Sequence, residues 1–205
     1  MTRIANAAVP LAGLAGYLAG TIPSAGMASR LAKGGTVDLW TSGSGNPGAL
    51  NAAQQLGPAW GVAVLVVDAA KGAAGAAAGG HLAGETGAYL AATTAIAGHI
   101  APVWTRFRGG KGVATSAGTC LAVFPPYFPI DAAVAAMSAA GTRNPQTSIR
   151  SSSLLWTVSA LVWWRRRWPN LWGPPPTASL PALAAVSSAM ILQAFARSRR
   201  PAGVR

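Results

Sequence analysis

The chain has 205 residues, 51% of them hydrophobic and only 10% charged, and its mean hydropathy of +0.36 excludes an ordinary water-soluble composition. Sixteen Lys and Arg against four acids give a formal charge of +12. On so apolar a background such cations mark membrane topology and contact with lipid headgroups, which argues against a nucleic-acid partner.

A bilayer core about 30 Å thick calls for roughly 20 apolar residues per helix. Four runs qualify: 4–29, 58–80, 84–104 and 177–196. The first follows Arg3 but outlasts a secretory signal's apolar region and continues to Arg30 and Lys33, so it reads as a retained helix. Between 112 and 165 the runs shorten: 113–124 and 130–141, hinged by "FPPYFP" (Phe124 to Pro129), and then 153–164. These suit half-helices or short tilted helices packed against neighbours, because unpaired backbone groups are costly in hydrocarbon. Neither the hinge nor "GPPPTASLP" (Gly173 to Pro181) is long enough to link domains. The expected fold is all-α, a polytopic transmembrane bundle of six or seven helices. It forms one domain over 1–205, without internal repeat, ending in a basic tail from about 197.

Cations set the expected orientation. Arg30 and Lys33 follow the first run; Arg106, Arg108 and Lys111 follow the third; Arg143 and Arg150 follow the hinged pair; Arg197, Arg199, Arg200 and Arg205 lie in the tail. The turn at 81–86 and the hinge have none. This places the N-terminus outside and these loops at the cytoplasmic face of a cell membrane. Arg165, Arg166 and Arg167 break the scheme. They face outward if 153–164 crosses once, and if that run re-enters, the tail is the misplaced group.

Two polar, glycine-rich interruptions fall on that common face: "TSGSGNPGALNAA" (Thr41 to Ala53) and "FRGGKGVAT" (Phe107 to Thr115). Glycines let successive N–H groups converge on an anion, and a helix opening at Pro47 or Gly48 adds its positive end. "GGKG" adds the mobile ammonium of Lys111 but is no Walker A loop, lacking the four-residue spacer and the following Ser or Thr. Singly, each reads as a turn between helices. Together, in a chain with almost no acids, they point to a surface site for a phosphorylated substrate.

Asp68 and Lys71 lie three apart inside the second run, so they share a helix face. They are either a functional intramembrane pair or a mutually satisfied structural one. His99, in "GHIAPVW", either orients a substrate or carries a proton, or it packs with a bond to a backbone carbonyl. The lone Cys120 can form no intrachain disulfide. His81 and His99, eighteen positions apart with no acid or Cys at ligand spacing, offer no metal site.

These pieces, with "YLAGTIPSAGMASR" (Tyr17 to Arg30), "GSGNPGALN" (Gly43 to Asn51), "DAAKG" (Asp68 to Gly72), "GHIAPVW" (Gly98 to Trp104) and "FRGGKGVAT", resemble in order and separation the bacterial integral-membrane acyl-phosphate:glycerol-3-phosphate acyltransferases. The resemblance implies acyl transfer from acyl phosphate to the 1-hydroxyl of glycerol 3-phosphate, giving lysophosphatidic acid, without coenzyme A or any other cofactor. It implies catalytic roles for Ser44, Asn46 and Lys111. Phosphate contacts fall to Gly43, Gly45, Gly48, Asn51, Gly109, Gly110, Gly112, Thr115, Arg150, Arg167 and Asn170, with support from Asp68, Lys71 and His99. It names membrane lipid and the acyl-phosphate-producing enzyme as candidate partners.

The chain also departs from the family pattern. Leu50 stands where threonine is usual, and Gln54 where a basic residue is. "RRRWPNLWGPPP" (Arg165 to Pro176) keeps Asn170, puts Arg167 at a histidine position and lacks a following glutamate. The alternatives carried forward are a non-catalytic relative that binds phosphate or anionic lipid, and a small transporter for an anionic solute. The transporter predicts paired broken segments in related halves, and no such symmetry is visible.

Overall fold

The computed structural model describes residues 2–133 and 145–198. Arg143, most of the 130–141 run and the tail from Arg199 lie outside the described residues. Those described form seven α-helices and two short 3-10 turns, without strands.

The first apolar run does not make one helix. Ile22 and Pro23 break it into α1 (Thr2–Gly20) and α2 (Ser24–Lys33), with Pro23 immediately before the first turn of α2. Proline has no N–H to continue the ladder, so the break follows from chemistry that apolar length conceals. A loop then leads to α3 (Ala49–Leu56) and, past Gly57, to α4 (Pro58–Ile100).

At 43 residues α4 is too long for one crossing, and it reverses at Ala83 and Gly84, where Gly84 takes φ 59°. The two arms run antiparallel in close contact. A Cβ on Gly79 would lie 2.3 Å from the Gly87 carbonyl oxygen, so only glycine permits that approach. The second arm also packs on α1, where a Cβ on Gly16 or Gly20 would meet the carbonyls of Ala91 or Ala95 at 2.2 and 2.0 Å. Thr94 Oγ1 donates to the Gly13 carbonyl at 2.7 Å and Tyr17 Oη to that of Ala101 at 2.8 Å, fixing α1 parallel to this arm.

Next comes α5 (Val113–Val123), then a 3-10 turn at Pro125–Tyr127 that realises the proline hinge, and helical residues 128–133. The sixth apolar run proves longer than 153–164: α6 spans Pro145–Arg166, and α7 spans Ser179–Arg197. Ser and Thr in the first half of α6 hide it from a search for apolar length.

One core centres on Tyr89, Phe124, Tyr127, Trp156 and Leu180, and a second on Ala25, Leu39, Ala52, Leu56 and Val64, beneath the first glycine-rich loop. Leu11, Leu14, Val62, Val66, Leu154 and Val158 are exposed on the helices, the pattern of side chains that face lipid. Among the described residues three segments are long and apolar enough to cross a bilayer: 7–33, which takes in α1 and α2, 58–105, which is the α4 hairpin with the turn after it, and 179–197.

Candidate active site at the glycine-rich loops

The two glycine-rich loops meet. Trp40 Nε1 donates to the Arg108 carbonyl at 2.8 Å, and Trp40 and Pro47 line one small cavity, about 20 Å³, together with Gly109 and Gly110. The loops arrive there by different routes.

In the first, Gly43 and Gly45 have φ of 59° and 65°, and Gly48, extended, caps α3, so the helix begins where the sequence predicts. Asn51 holds the turn together. Its Nδ2 donates to the carbonyls of Leu39 and Ser42 at 3.1 and 3.0 Å, and its Oδ1 accepts the Ser44 N–H at 3.1 Å. Asn51 is buried and occupied by its own loop, so it shapes the site instead of contacting a ligand. The N–H groups of Gly45 and Gly48 also bond within the loop, to Ser42 and Asn46. Ser44 is exposed and Asn46 half-buried, and neither lines the cavity.

In the second loop, backbone does the holding. Gly109 and Gly110 donate to the carbonyls of Ile100 and His99 at 3.0 and 3.1 Å, zipping the loop to the end of α4. A Cβ on Gly110 would sit 2.2 Å from His99 Nε2, so the imidazole occupies the space a side chain would need. These two amides are therefore spent on α4, contrary to their expected place in an open anion nest. Gly112 (φ 84°) caps α5, whose first-turn N–H groups lack intrahelical partners. Thr115, expected at a phosphate, is fully buried instead, its carbonyl against Gly72, where a Cβ would fall 2.3 Å away. The Lys111 ammonium lies 4.5 Å from the centroid of the Phe195 ring, which brings the end of α7 to this site.

Beneath the loops lies a buried polar cluster. Ser24 Oγ donates to Asp68 Oδ1 at 2.5 Å, Lys71 Nζ sits 2.8 Å from the same oxygen, and His99 Nδ1 lies 3.6 Å from it. Lys71 also donates to the Ile22 carbonyl at 3.0 Å. The cluster joins α2 to both arms of α4, and Ser24, Lys71 and His99 all line the cavity. Ser24 is the member that sequence reasoning missed; the Pro23 break just before it was the available signal.

Arg167 and Asn170 are not brought to this cavity. Asn170 Nδ2 donates to the Val123 carbonyl at 2.9 Å and to that of Pro174 at 2.6 Å, at the far end of α5 from Gly112, some 16 Å along an 11-residue helix. Arg165, Arg166 and Arg167 are exposed at that same far end. Arg150 is exposed on the half of α6 nearer the loops. Among the described residues no group of His, Cys, Asp and Glu could hold a metal.

Residues 10–200 match the family model "Glycerol-3-phosphate acyltransferase". A glycerol-3-phosphate acyltransferase of Bradyrhizobium diazoefficiens is 35% identical over 159 residues, 78% of either chain. One from a Synechococcus species is 41% identical over 160 residues, 78% of this chain and 77% of the relative. Among solved structures, PlsY (YgiH), an integral membrane glycerol 3-phosphate acyltransferase, superposes in its glycerol 3-phosphate form with a TM-score of 0.74 at 26% identity, covering 92% of this chain and 88% of that one. Its lysophosphatidic acid form gives 0.71 at 25% identity over the same shares. With its two loops joined at one end of an all-helical, apolar bundle, the chain belongs to the glycerol-3-phosphate acyltransferase family.

Proposed function

We propose that the cleft between residues 39–51 and 105–112 takes the phosphates of glycerol 3-phosphate and acyl phosphate and transfers the acyl group between them. The reading is carried by the Trp40 hydrogen bond to Arg108, which makes one cleft of two loops that each lead into a helix N-terminus. The 1-hydroxyl oxygen of glycerol 3-phosphate attacks the acyl carbon, and the bond from that carbon to the phosphate oxygen breaks. The departing inorganic phosphate accepts the hydroxyl proton. The donor is already activated, so positioning and charge stabilisation suffice, with Ser44, Asn46 and Lys111 as the side chains that contact the reactants.

A cavity of about 20 Å³ holds little more than one water, so substrate entry parts the loops against the Trp40 bond. The cleft lies on the cytoplasmic face of the bacterial cell membrane, the side favoured by Arg30, Lys33, Arg106 and Arg108 around it. The enzyme that makes acyl phosphate is the expected partner there.

Purified protein in detergent, given acyl phosphate and glycerol 3-phosphate, is expected to release lysophosphatidic acid, and Lys111→Ala and Ser44→Ala to lose most of that activity. Palmitoyl-CoA is expected to give none. Product formation indifferent to both substitutions sinks the site assignment, and turnover with the thioester alone sinks the donor.

A further inference from the structure

Of the charged side chains described, only that of Lys71 lines the cavity between the loops. It is 5% exposed, sits inside an apolar helix, and lies beside a carboxylate that is itself 1% exposed. An ammonium has three N–H donors, and the contacts of Lys71 use two: Asp68 Oδ1 and the Ile22 carbonyl. Asp68 lies one helical turn away on α4, and Ile22, in the break between α1 and α2, lines the cavity beside Lys71. Asp68 does not line the cavity. A ligand in the cleft therefore meets the ammonium with the carboxylate screened behind it, and the pair presents its positive end.

We propose that Lys71 is a substrate-binding residue whose remaining N–H donates to a phosphate oxygen at the floor of the cleft. Asp68, Ser24 and His99 are positioning residues that act through it. The proposal rests on the reading that this cleft takes phosphate, and adds a contact within it. Asp68 fixes the ammonium through the 2.8 Å ion pair, and Ser24 and His99 hold Asp68 in place from α2 and the second arm of α4. A buried, pre-oriented cation loses little side-chain freedom on binding, and water screens it less than an exposed arginine.

The chain has three lysines, Lys33, Lys71 and Lys111, so their side-chain nitrogens can be followed individually by NMR in the full-length protein in detergent. Saturating glycerol 3-phosphate, inorganic phosphate or acyl phosphate is expected to shift the Lys71 signal, and the substrate that does so identifies which phosphate it holds. A Lys71 signal unmoved by all three overturns the proposal. In kinetics, the charge-neutral double variant Asp68→Asn/Lys71→Met, which leaves no unpaired charge, is expected to raise the KM of one phosphorylated substrate about tenfold or more, with kcat within about threefold. Unchanged KM for both substrates, or a fall in kcat alone, overturns it; if the double variant does not fold, the NMR titration on the parent decides. An inactive parent protein counts against the acyltransferase reading, whereas an active, Lys111-dependent parent with a Lys71-independent KM removes this inference alone.

Discussion

The two glycine-rich loops reach one cleft by opposite means, and the contrast shows where each is vulnerable. Residues 39–48 are organised chiefly by the side chain of Asn51, which bonds backbone at three places, while Asp38 accepts from the Trp40 N–H. Residues 109 and 110 are held by backbone, pinned to the end of α4 and dependent on glycine because α4 leaves no room for a Cβ, while side chains of Trp40 and Thr105 bond only the Arg108 carbonyl before them. In the first loop, losing one amide breaks three bonds at once. In the second, any added carbon is the lesion.

Asn51→Leu offers the largest test of that contrast. It orphans two carbonyls and one N–H in a buried setting, and at about 1–3 kcal/mol per unsatisfied group should remove several kcal/mol and abolish activity. Thermal unfolding in detergent together with the acyl-transfer assay checks both. Stability within about 1 kcal/mol of the parent would show that water replaces the amide and that the loop holds itself.

Gly110→Ala should be next, at about 1–3 kcal/mol for overpacking against His99. Adding His99→Ala should recover part of that stability, because the clash is with the ring; a double variant no more stable than Gly110→Ala places the strain elsewhere. The smallest effect expected is for Trp40→Phe, which keeps the ring but removes the hydrogen bond between the loops, worth about 0.5–1.5 kcal/mol. It should leave unfolding nearly unchanged while changing KM a few-fold, in either direction. A large loss of stability would make Trp40 part of the core and not a latch.

Much of this was legible in the sequence. The runs at 58–80 and 84–104 are the arms of the α4 hairpin, "FPPYFP" is a turn, and both loops open helices at their glycines. What escaped depends on partners distant in the chain. Ser24 looks like a small residue in an apolar run until Asp68, 44 positions later, accepts its hydrogen bond. Asn51 and Thr115 stand in motif positions that invite a ligand, yet one is consumed by its own loop and the other sealed against Gly72. Asn170 is a polar residue after a basic run, and nothing local says that it caps the far end of α5.

Placing Asp68 and Lys71 one turn apart on the same arm matters for biogenesis. A charge that awaits a partner on another helix would cross into the bilayer bare, at a cost of about 2.5–3.5 kcal/mol near its centre. Here the opposite charges travel together and neutralise each other as soon as the helix forms, and the glycine-matched second arm follows through the same tip. The α4 hairpin thus enters the bilayer with its two intramembrane charges already paired within one arm.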